Sequence, residues 1–563
     1  MIWEKYKKAS SFQDENSIIT KSNKCWKMYL GDQWYGLDNT EGLPVVNFVE
    51  PTVNYKVSTI CKNVMTARYS DVEGNAEYND IYDKLNSNFA SNWERGHMDM
   101  VSWQTLKNAA IVGDGYTYWG TEDLTKTQVI PCTAILLGDE QQPEIQKQPY
   151  IMIRERLFVE DVKRMAAENG IPEEKWTDIT SDDNNEFQIG NKKDIEYDNN
   201  DGKVLSVLYF EKKDGIVWTG RAIEGLEYEP LHPMTPSKNG EAIMEKGLKS
   251  YPIVNLIWQD IPNSARGQGE VKKLIPNQVE VNKTYARRAM ATKMYAYPRM
   301  AYMANSIKNP EDLDKVGVAI GMNEGSTGQS IQQLISYLMP ASSSPDAKTL
   351  SDDLMETTRN LAGAGETSMG QIDPTRVSGT AIVAIQDQAS LTLNEQVAKY
   401  KQYVEDIARL WFDLLVAYNP DGIPIKRKMT AEEEEEATQG GLYPLEPEDK
   451  IVADKIMPED LEKLRPEVKV DVSTNTQWSK NDEQTADDNL LSNGHITFDE
   501  YVDLIPDGGI LQKNKLQEIV KKRQLNPQPM TDENGQPLPP EGEGQTVPPP
   551  QEPQEPMPPE PIE

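Results

Sequence analysis

Six basic residues concentrate positive charge in one stretch of an otherwise acidic chain. They are Lys272, Lys273, Lys283, Arg287, Arg288 and Lys293. Lys283 and Arg287 are four positions apart, so on a helix they lie one turn apart on the same face. Such side chains can contact the phosphates of a nucleic acid without reading its sequence. An ordinary solvated or intersubunit ion-pairing face is the simpler explanation, and the sequence leaves both interpretations open.

A glycine-rich run at residues 362–370, AGAGETSMG, has the glycines, threonine and serine that a phosphate-binding loop uses. It carries Glu366 where a Walker loop needs its lysine, and no buried strand leads into it. We therefore expect this loop to repel phosphate. Neither a bound nucleotide nor any other cofactor is predicted.

The run NLLSNGHITFDE at residues 489–500 aligns with a calcium-binding EF-hand loop at Gly494, Ile496 and Glu500. Leu491 stands where an oxygen ligand is essential, and Asn489 replaces the leading aspartate. A helix, a turn and a second, capped helix explain the run better. No metal site is therefore predicted.

Histidines and cysteines are too few and too scattered for a catalytic centre. The three histidines are His97, His232 and His495, which fall in three different predicted regions. That separation argues against a histidine triad or a multi-histidine metal site. The three cysteines are Cys25, Cys61 and Cys132, which form no CxxC pair and are expected to be buried thiols. No catalytic residue is predicted, and we expect the protein not to be an enzyme.

Composition describes a large acidic molecule. The 563 residues suffice for about three or four domain-sized units. Acidic residues number 91 against 58 basic ones, a net charge of -33, so the chain as a whole should repel nucleic acid and anionic membranes. Contact with DNA must then be local or weak. The sequence has no apolar run of about 18 residues and no secretory leader, which predicts a soluble protein made in the cytosol.

The elements that carry the basic residues and the glycine-rich loop follow one another in an informative order. They are predicted as a buried strand at 253–262, a helix at 267–296 with Pro276 in its first turn or at a kink, strands at 297–303 and 316–322, a helix at 345–361, the loop, and a long helix beyond residue 378. Apolar residues recur three or four positions apart in this last helix from Ile382 to Leu414. At 1.5 Å per residue it would be about 55 Å long. This order suits a ring subunit that lines a channel better than a compact enzyme core.

The flanking regions complete a prediction of the α+β class. Residues 1–110 are predicted helical, with one helix running from Phe48 through Val64. Strands at 116–119, 134–137, 203–212 and 216–223 and a helix at 159–169 follow. An acidic segment at 178–201 is predicted to be a solvated excursion. The final residues, 526–563, are rich in proline and glutamate and should be disordered.

Five segments resemble the bacteriophage portal protein family and occur in the family's order. They are GLPVVNFVEPTVNYKVSTI (42–60), GDGYTYWG (113–120), YIMIRERLFVEDVKRM (150–165), GQGEVKKLIPNQVEVNK (267–283) and SGTAIVAIQDQA (378–389). None is a signature alone; together they carry a resemblance over roughly residues 25–520. The resemblance implies the portal-protein fold, in which long helices and small β elements form a wing, a stem, a clip and a crown.

The family's architecture implies boundaries in this chain. They are the wing at 1–250, a wing-to-stem strand and first stem helix at 251–296, the clip at 297–344, the second stem helix at 345–362, the channel loop at 363–377, a long wing helix at 378–418, wing strands and loops at 419–478, the helical crown at 479–525 and the disordered tail at 526–563. The basic residues of the stem would face the lumen or an intersubunit seam. The channel-loop residues near the axis would be Gly365, Glu366, Thr367, Ser368, Met369, Gly370 and Gln371.

The function that this resemblance implies is that of a head-tail connector. A homododecameric ring at one capsid vertex of the virion, assembled in the host cytoplasm, would give double-stranded DNA its channel for packaging and ejection. Expected partners are other copies of the chain, DNA held without sequence specificity, the terminase large subunit, head-completion, adaptor or tail proteins, and the major capsid and scaffold proteins; no membrane is expected. The alternative is a structural tail or adaptor protein without a DNA channel.

Overall fold

The computed structural model of the chain describes a defined set of residues. They are 1–34, 43–71, 79–190, 201–235, 237–238, 241–242, 247–296, 299–302, 307–312, 319, 321, 335–338, 346–365, 391–419, 423–428, 451–456, 466–474 and 491. The chain divides into two units, Met1–Thr474 and Asn475–Glu563. The mixture of helices and strands is compatible with the predicted α+β class.

The described helices and strands of the first unit occur in runs of one type along the chain. The helices are α1 (Ile2–Glu15), α2 (Ile18–Leu30), α3 (Val49–Cys61), α4 (Asn79–Arg95), α5 (Met98–Val112), α6 (Val159–Glu168), α7 (Glu270–Ala296), α8 (Asp346–Leu361) and α9 (Asn394–Tyr418). The strands are β1 (Asn63–Asp71), β2 (Asp114–Tyr118), β3 (Gln128–Ile130), β4 (Ile135–Leu137), β5 (Tyr150–Phe158), β6 (Lys203–Lys213), β7 (Ile216–Ile223), β8 (Leu226–Pro233), β9 (Ser237–Lys238), β10 (Glu241–Ala242), β11 (Ile253–Ile257), β12 (Arg299–Tyr302), β13 (Ile335–Leu338), β14 (Ile423–Lys428), β15 (Ile451–Ile456) and β16 (Pro466–Thr474).

The prediction of one helix from Phe48 through Val64 is wrong at its end. Helix α3 stops at Cys61, and Val64 lies in strand β1, which pairs antiparallel with β16. The strand forms because its partner, about four hundred residues further along the chain, supplies the ladder hydrogen bonds. The described part of residues 1–110 is therefore mostly helical, with this strand as an exception that no local periodicity indicates.

Two antiparallel sheets form the centre of the first unit. The larger has the order β4-β5-β6-β7-β8, and the smaller has the order β11-β2-β3. Strand β7 and helix α6 confirm their predictions to within a residue at each end. Trp119, Trp258 and Trp411 are almost completely buried in the same core, in which helix α9 packs against β11 of the smaller sheet.

The helix predicted to run without a break beyond residue 378 is interrupted before Asn394. Residues Leu391–Leu393 form a single 3-10 turn, and α9 starts at Asn394 and spans 25 residues, about 37 Å. Its buried stripe, which includes Tyr403, Ile407 and Trp411, confirms the predicted periodicity from there on. The part of the prediction before Leu391 lies outside the described residues.

The acidic segment predicted as a solvated excursion is partly packed. Phe187 is 4% exposed, and its carbonyl oxygen accepts a hydrogen bond from Thr133 Oγ1 at 2.6 Å. The Asp182 carboxylate pairs with the buried Arg156 guanidinium. These contacts correct the prediction over the described part of the segment, which ends at residue 190.

Several predictions fall on residues that the structure does not describe. They are the channel loop beyond Gly365, the tail at 526–563 and, apart from Leu491, which is helical, the crown and the run that resembles an EF-hand. In the region predicted as the clip, β12 pairs antiparallel with β13. Within the strand predicted at 316–322 only Ala319 and Gly321 are described, and neither is in a strand.

Candidate functional site

Helix α7, which carries all six basic residues, is one continuous helix with Pro276 inside it. Its first turn is fixed by Glu270, which forms an ion pair with Lys56 of α3 at 2.8 Å. The indole Nε1 of Trp258 also donates to Glu270, at 3.4 Å. A carboxylate in the first turn interacts favourably with the positive end of the helix dipole. The start of the helix is therefore held both by its neighbours and by its own electrostatics.

Two buried amide side chains hold the middle of α7 against the residues that precede α3. Gln278 accepts a hydrogen bond from the Phe48 amide at 3.1 Å and donates one to the Val46 carbonyl at 2.7 Å. Asn282 accepts from the Val46 amide at 3.1 Å. Backbone groups buried outside regular structure need such partners. This side of the helix is thus committed to packing, which leaves the opposite side to solvent.

Helix α8 packs against α7 in the antiparallel direction. Asn277 Nδ2 donates to Thr358 Oγ1 at 2.9 Å, and Tyr285 lies two turns further along α7, with its hydroxyl 3.5 Å from Asp352 Oδ1. From the first of these contacts to the second, the residue number rises in α7 and falls in α8, so the two helices are antiparallel. The helix predicted at 345–361 is confirmed as α8, and the β12–β13 pair lies in the sequence between the two helices.

Four of the six basic residues share the exposed face of α7. At 100° per residue, Lys272, Lys273, Lys283 and Arg287 fall within an arc of about 100° around the helix axis, and all four are exposed. The other two lie outside that arc: Lys293 is exposed, and the half-buried Arg288 guanidinium stacks on the Tyr285 ring at 5.3 Å. We call the four residues of the arc the basic face. The predicted sharing of one face by Lys283 and Arg287 is confirmed.

Acidic side chains on the same helix partly neutralise the basic face. Arg287 lies 3.3 Å from Glu280, and Lys273 lies 3.9 Å from Glu270. Lys283 forms no ion pair with any residue in the described part of the chain. The exposed Arg287–Glu280 pair contributes little to stability and is screened by salt, whereas the Glu270 carboxylate is buried. The face is therefore net positive but carries its own counter-charges.

Of the predicted channel-loop residues, only Gly365 is described; Glu366, Thr367, Ser368, Met369, Gly370 and Gln371 lie outside the described residues. Helix α8 ends in a left-handed glycine, Gly363, with φ of 72°, and the Ala364 amide bonds back to the Arg359 carbonyl at 2.9 Å. This is a helix C-terminus, where carbonyl oxygens present partial negative charge. The described part of the run, residues 362–365, therefore lies at the negative end of a helix dipole.

A buried guanidinium that sequence reasoning missed fixes the turn leading into α7. Arg266 donates to Asp114 at 3.2 Å, to Glu140 at 2.9 Å and to the carbonyl oxygens of Cys132 and Ile135. Burial raises the pKa of Asp114, although the Arg266 charge opposes that shift. The nearest local signal is a pair of glycines: a Cβ atom on Gly113 would lie 2.3 Å from the Gly267 carbonyl oxygen.

None of the candidate reactive groups forms a catalytic arrangement within the described residues. The three cysteines are free; Cys25 and Cys132 are buried as predicted, whereas Cys61 is only half-buried. Burial raises the pKa of the Cys25 and Cys61 thiols to about 11 and that of Cys132 to about 12, so all three stay protonated near neutral pH. His97 and His232 lie in a turn and in β8, and His495 is not described.

Neither a metal site nor a membrane-spanning helix is found among the described residues. They contain no group of three or more histidine, cysteine, aspartate or glutamate side chains placed to hold a metal ion. No helix among them is long and apolar enough to cross a membrane.

Comparison with known proteins adds no relative. No protein-family model matches the chain, and no curated protein matches it at a significant level.

Proposed function

We propose that this chain is a portal protein, a subunit of a ring at one capsid vertex through which double-stranded DNA is packaged and ejected. The observation that carries the proposal is the antiparallel pair of α7 and α8, with the β12–β13 strand pair between them in sequence and the long helix α9 after them. A subunit that lines a channel needs two neighbouring helices joined at one end by a small cap. An enzyme core has no need of this order.

The dimensions of such a ring suit a duplex. About twelve helices side by side, each about 10 Å wide, give a mean diameter of about 40 Å and an opening of about 25 to 30 Å. B-form DNA passes through an opening of that size. Copies of α7, presenting the basic face away from the residues that anchor the helix, would form the wall.

The charge distribution suits a wall along which DNA must slide. A protein that makes six to ten phosphate contacts gains a substantial, salt-sensitive affinity that would hold the duplex in place. Here the net charge of -33 works against tight binding, and Glu280 lies among the cations of the basic face. Sparse positive charge of this kind guides a polyanion without trapping it.

The partners follow from the same proposal. The clip at 297–344 would meet the terminase large subunit and later the head-completion, adaptor or tail proteins. The wing would meet the major capsid and scaffold proteins. A structural tail or adaptor protein without a channel would share the acidic composition, but it would have no use for an antiparallel helix pair with an exposed basic face.

The mass of the assembled protein tests the proposal. A dodecameric ring would have a mass of about 760 kDa, twelve times the 63.5 kDa of one chain. We expect mass photometry of the purified full chain to show one dominant species near that value. A single species at the mass of one chain, at every protein concentration tried, would contradict it.

A further inference from the structure

Among the described strands, only one pairs with β11, which leaves its other edge without a partner in that part of the chain. It lies at the end of the sheet β11-β2-β3, and β2 is its one partner among the strands that the structure describes. The Trp119 amide bonds to the Pro252 carbonyl, and the Trp258 amide bonds to the Gly113 carbonyl. Since hydrogen-bonded pairs alternate along an antiparallel ladder, residues 254 and 256 also face β2. The N–H and C=O groups of Ile253, Asn255 and Ile257 therefore point away from the sheet.

At one end of this edge, the side-chain amide of Gln146 makes the backbone hydrogen bonds that a neighbouring strand would otherwise make. Gln146 accepts a hydrogen bond from the Tyr251 amide at 2.7 Å and donates to the Tyr251 carbonyl at 3.1 Å. The same Nε2 lies 3.4 Å from the Ile253 carbonyl oxygen. No such substitute serves Asn255 or Ile257 within the described part of the chain. An unpaired edge of this kind is a template for an added strand.

The open edge forms one wall of a groove, and helix α9 forms the other. The groove has a volume of about 710 Å³ and is lined by all of β11 and by α9 residues from Lys399 to Asp413. Ser250 bonds to Asp413 at one end, and Asp260 pairs with Lys399 at the other, so α9 runs antiparallel to β11. That stretch of helix is about 21 Å long, the length of about six extended residues.

The charges of the groove select what it can hold. Its two basic side chains are already paired: Lys399 with Asp260 and Glu395, and Arg409 with Asp406 and Glu405. Asp413 has no cation within ion-pair distance among the described residues, and its one hydrogen-bond donor is the Ser250 hydroxyl. Burial raises the pKa of this carboxyl group, against the opposing effects of Ser250, Lys249 and Lys212. A positively charged group bound in the groove would offset the cost of burying the ionised Asp413 carboxylate.

We propose that this groove binds an extended peptide segment of a partner protein, about six residues long, which adds to the edge of β11 and places a lysine or arginine beside Asp413. Backbone hydrogen bonds to Asn255 and Ile257 would supply the affinity, and the carboxylate would supply the preference for a basic residue. The inference stands apart from the proposed ring, because the groove is complete within one chain.

The probe is an end-blocked hexapeptide that alternates lysine and valine, with a glutamate–valine hexapeptide as its charge control. We expect the basic peptide to bind the purified full chain in a calorimetric titration and the acidic one not to bind. Two further peptides carry N-methyl groups at either the odd or the even positions. Only one of these two sets faces β11, so one peptide should lose binding and the other should keep it.

Matched protein variants locate the binding. Asn255→Pro removes an outward N–H without removing a ladder bond to β2 and should abolish binding, whereas Asn255→Ala should leave it unchanged. Asp413→Asn should weaken binding of the basic peptide at least tenfold, about 1.4 kcal/mol, whereas Asp178→Asn, an exposed acid outside the groove, should not.

Several results would overturn the proposal. They are no binding of the basic peptide, equal binding of the acidic one, or unchanged binding by Asn255→Pro. If that variant fails to fold, the two N-methylated peptides are titrated against the protein without substitutions. Equal binding of the two peptides would then refute the proposal. A change in the mass of the assembled protein by Asn255→Pro, without any peptide binding, would assign the edge to a second copy of this chain and refute the peptide partner.

Discussion

Lys56 of α3 and Glu270 of α7 form a buried ion pair. The Lys56 Nζ and Glu270 Oε1 atoms lie 2.8 Å apart, and the two side chains are only 9% and 8% exposed. Burial lowers the pKa of Lys56, and the Glu270 charge opposes that shift. The pair joins the helix that carries the basic face to the helices of the amino-terminal region, so the position of that face depends on it.

Glu270→Gln should be strongly destabilising because it leaves the Lys56 ammonium group buried without its counter-charge. We expect the free energy of unfolding to fall by about 3 kcal/mol. Urea denaturation monitored by circular dichroism measures it. Glu144→Gln breaks an exposed pair with Lys147 and should change the same quantity by about 0.5 kcal/mol or less. Equal effects of the two substitutions would show that the buried pair does not fix α7.

Arg266→Lys should also destabilise the protein, by about 3 kcal/mol, although the charge is kept. A lysine cannot reach Asp114, Glu140 and the two carbonyl oxygens that the planar guanidinium bonds together. The midpoint of urea unfolding measures the effect. Arg164→Lys on the exposed surface of α6 serves as the control and should stay within about 0.5 kcal/mol of the original chain. A similar midpoint for both variants would contradict the structural role given to Arg266.

Reversing charge on the basic face should impair DNA passage and leave the fold intact. The double variant Lys283→Glu and Arg287→Glu changes two exposed residues, so its stability should differ by no more than about 0.5 kcal/mol per site. Its assembled mass should be unchanged. Phage yield and packaged DNA should fall, whereas Lys175→Glu on another exposed surface should have no effect. Normal packaging by the double variant would show that the basic face has no role in DNA passage.

The stability contributed by Asp413 should depend on pH with a defined sign. Because burial raises its pKa in the folded protein, the ionised carboxylate costs stability at neutral pH, and the cost disappears as pH falls through that raised pKa. Asp413→Asn should therefore have the higher melting temperature at pH 7. The difference between the two proteins should shrink as pH is lowered towards 4. A difference that is independent of pH would contradict the raised pKa.

Local patterns predicted the elements whose ends are marked in the sequence. Strand β7 lies between the turn at Asp214 and Gly215 and another glycine, Gly225, and α6 is followed by Gly170 and Pro172. The apolar periodicity and the flanking glycine and proline residues are sufficient to predict these elements, because all of them lie within about a dozen residues. The apolar stripe of α9 was predicted for the same reason, although the 3-10 turn before Asn394 was not.

Features that join distant segments escaped prediction. Strand β1 depends on β16 for its ladder, and Arg266 gathers two carboxylates and two carbonyl oxygens from segments more than a hundred residues away. For the candidate site, spacing placed Lys283 and Arg287 on one face of a helix. It could not show that Glu270 pairs with Lys56, since that contact exists only once α3 and α7 pack together.

Electron microscopy of the purified full chain tests the central claim most directly. Two-dimensional class averages should show rings of subunits around a central hole of about 25 to 30 Å, the opening expected from about twelve helices of ordinary width. Single subunits, or closed particles with no passage wide enough for a duplex, would contradict the account.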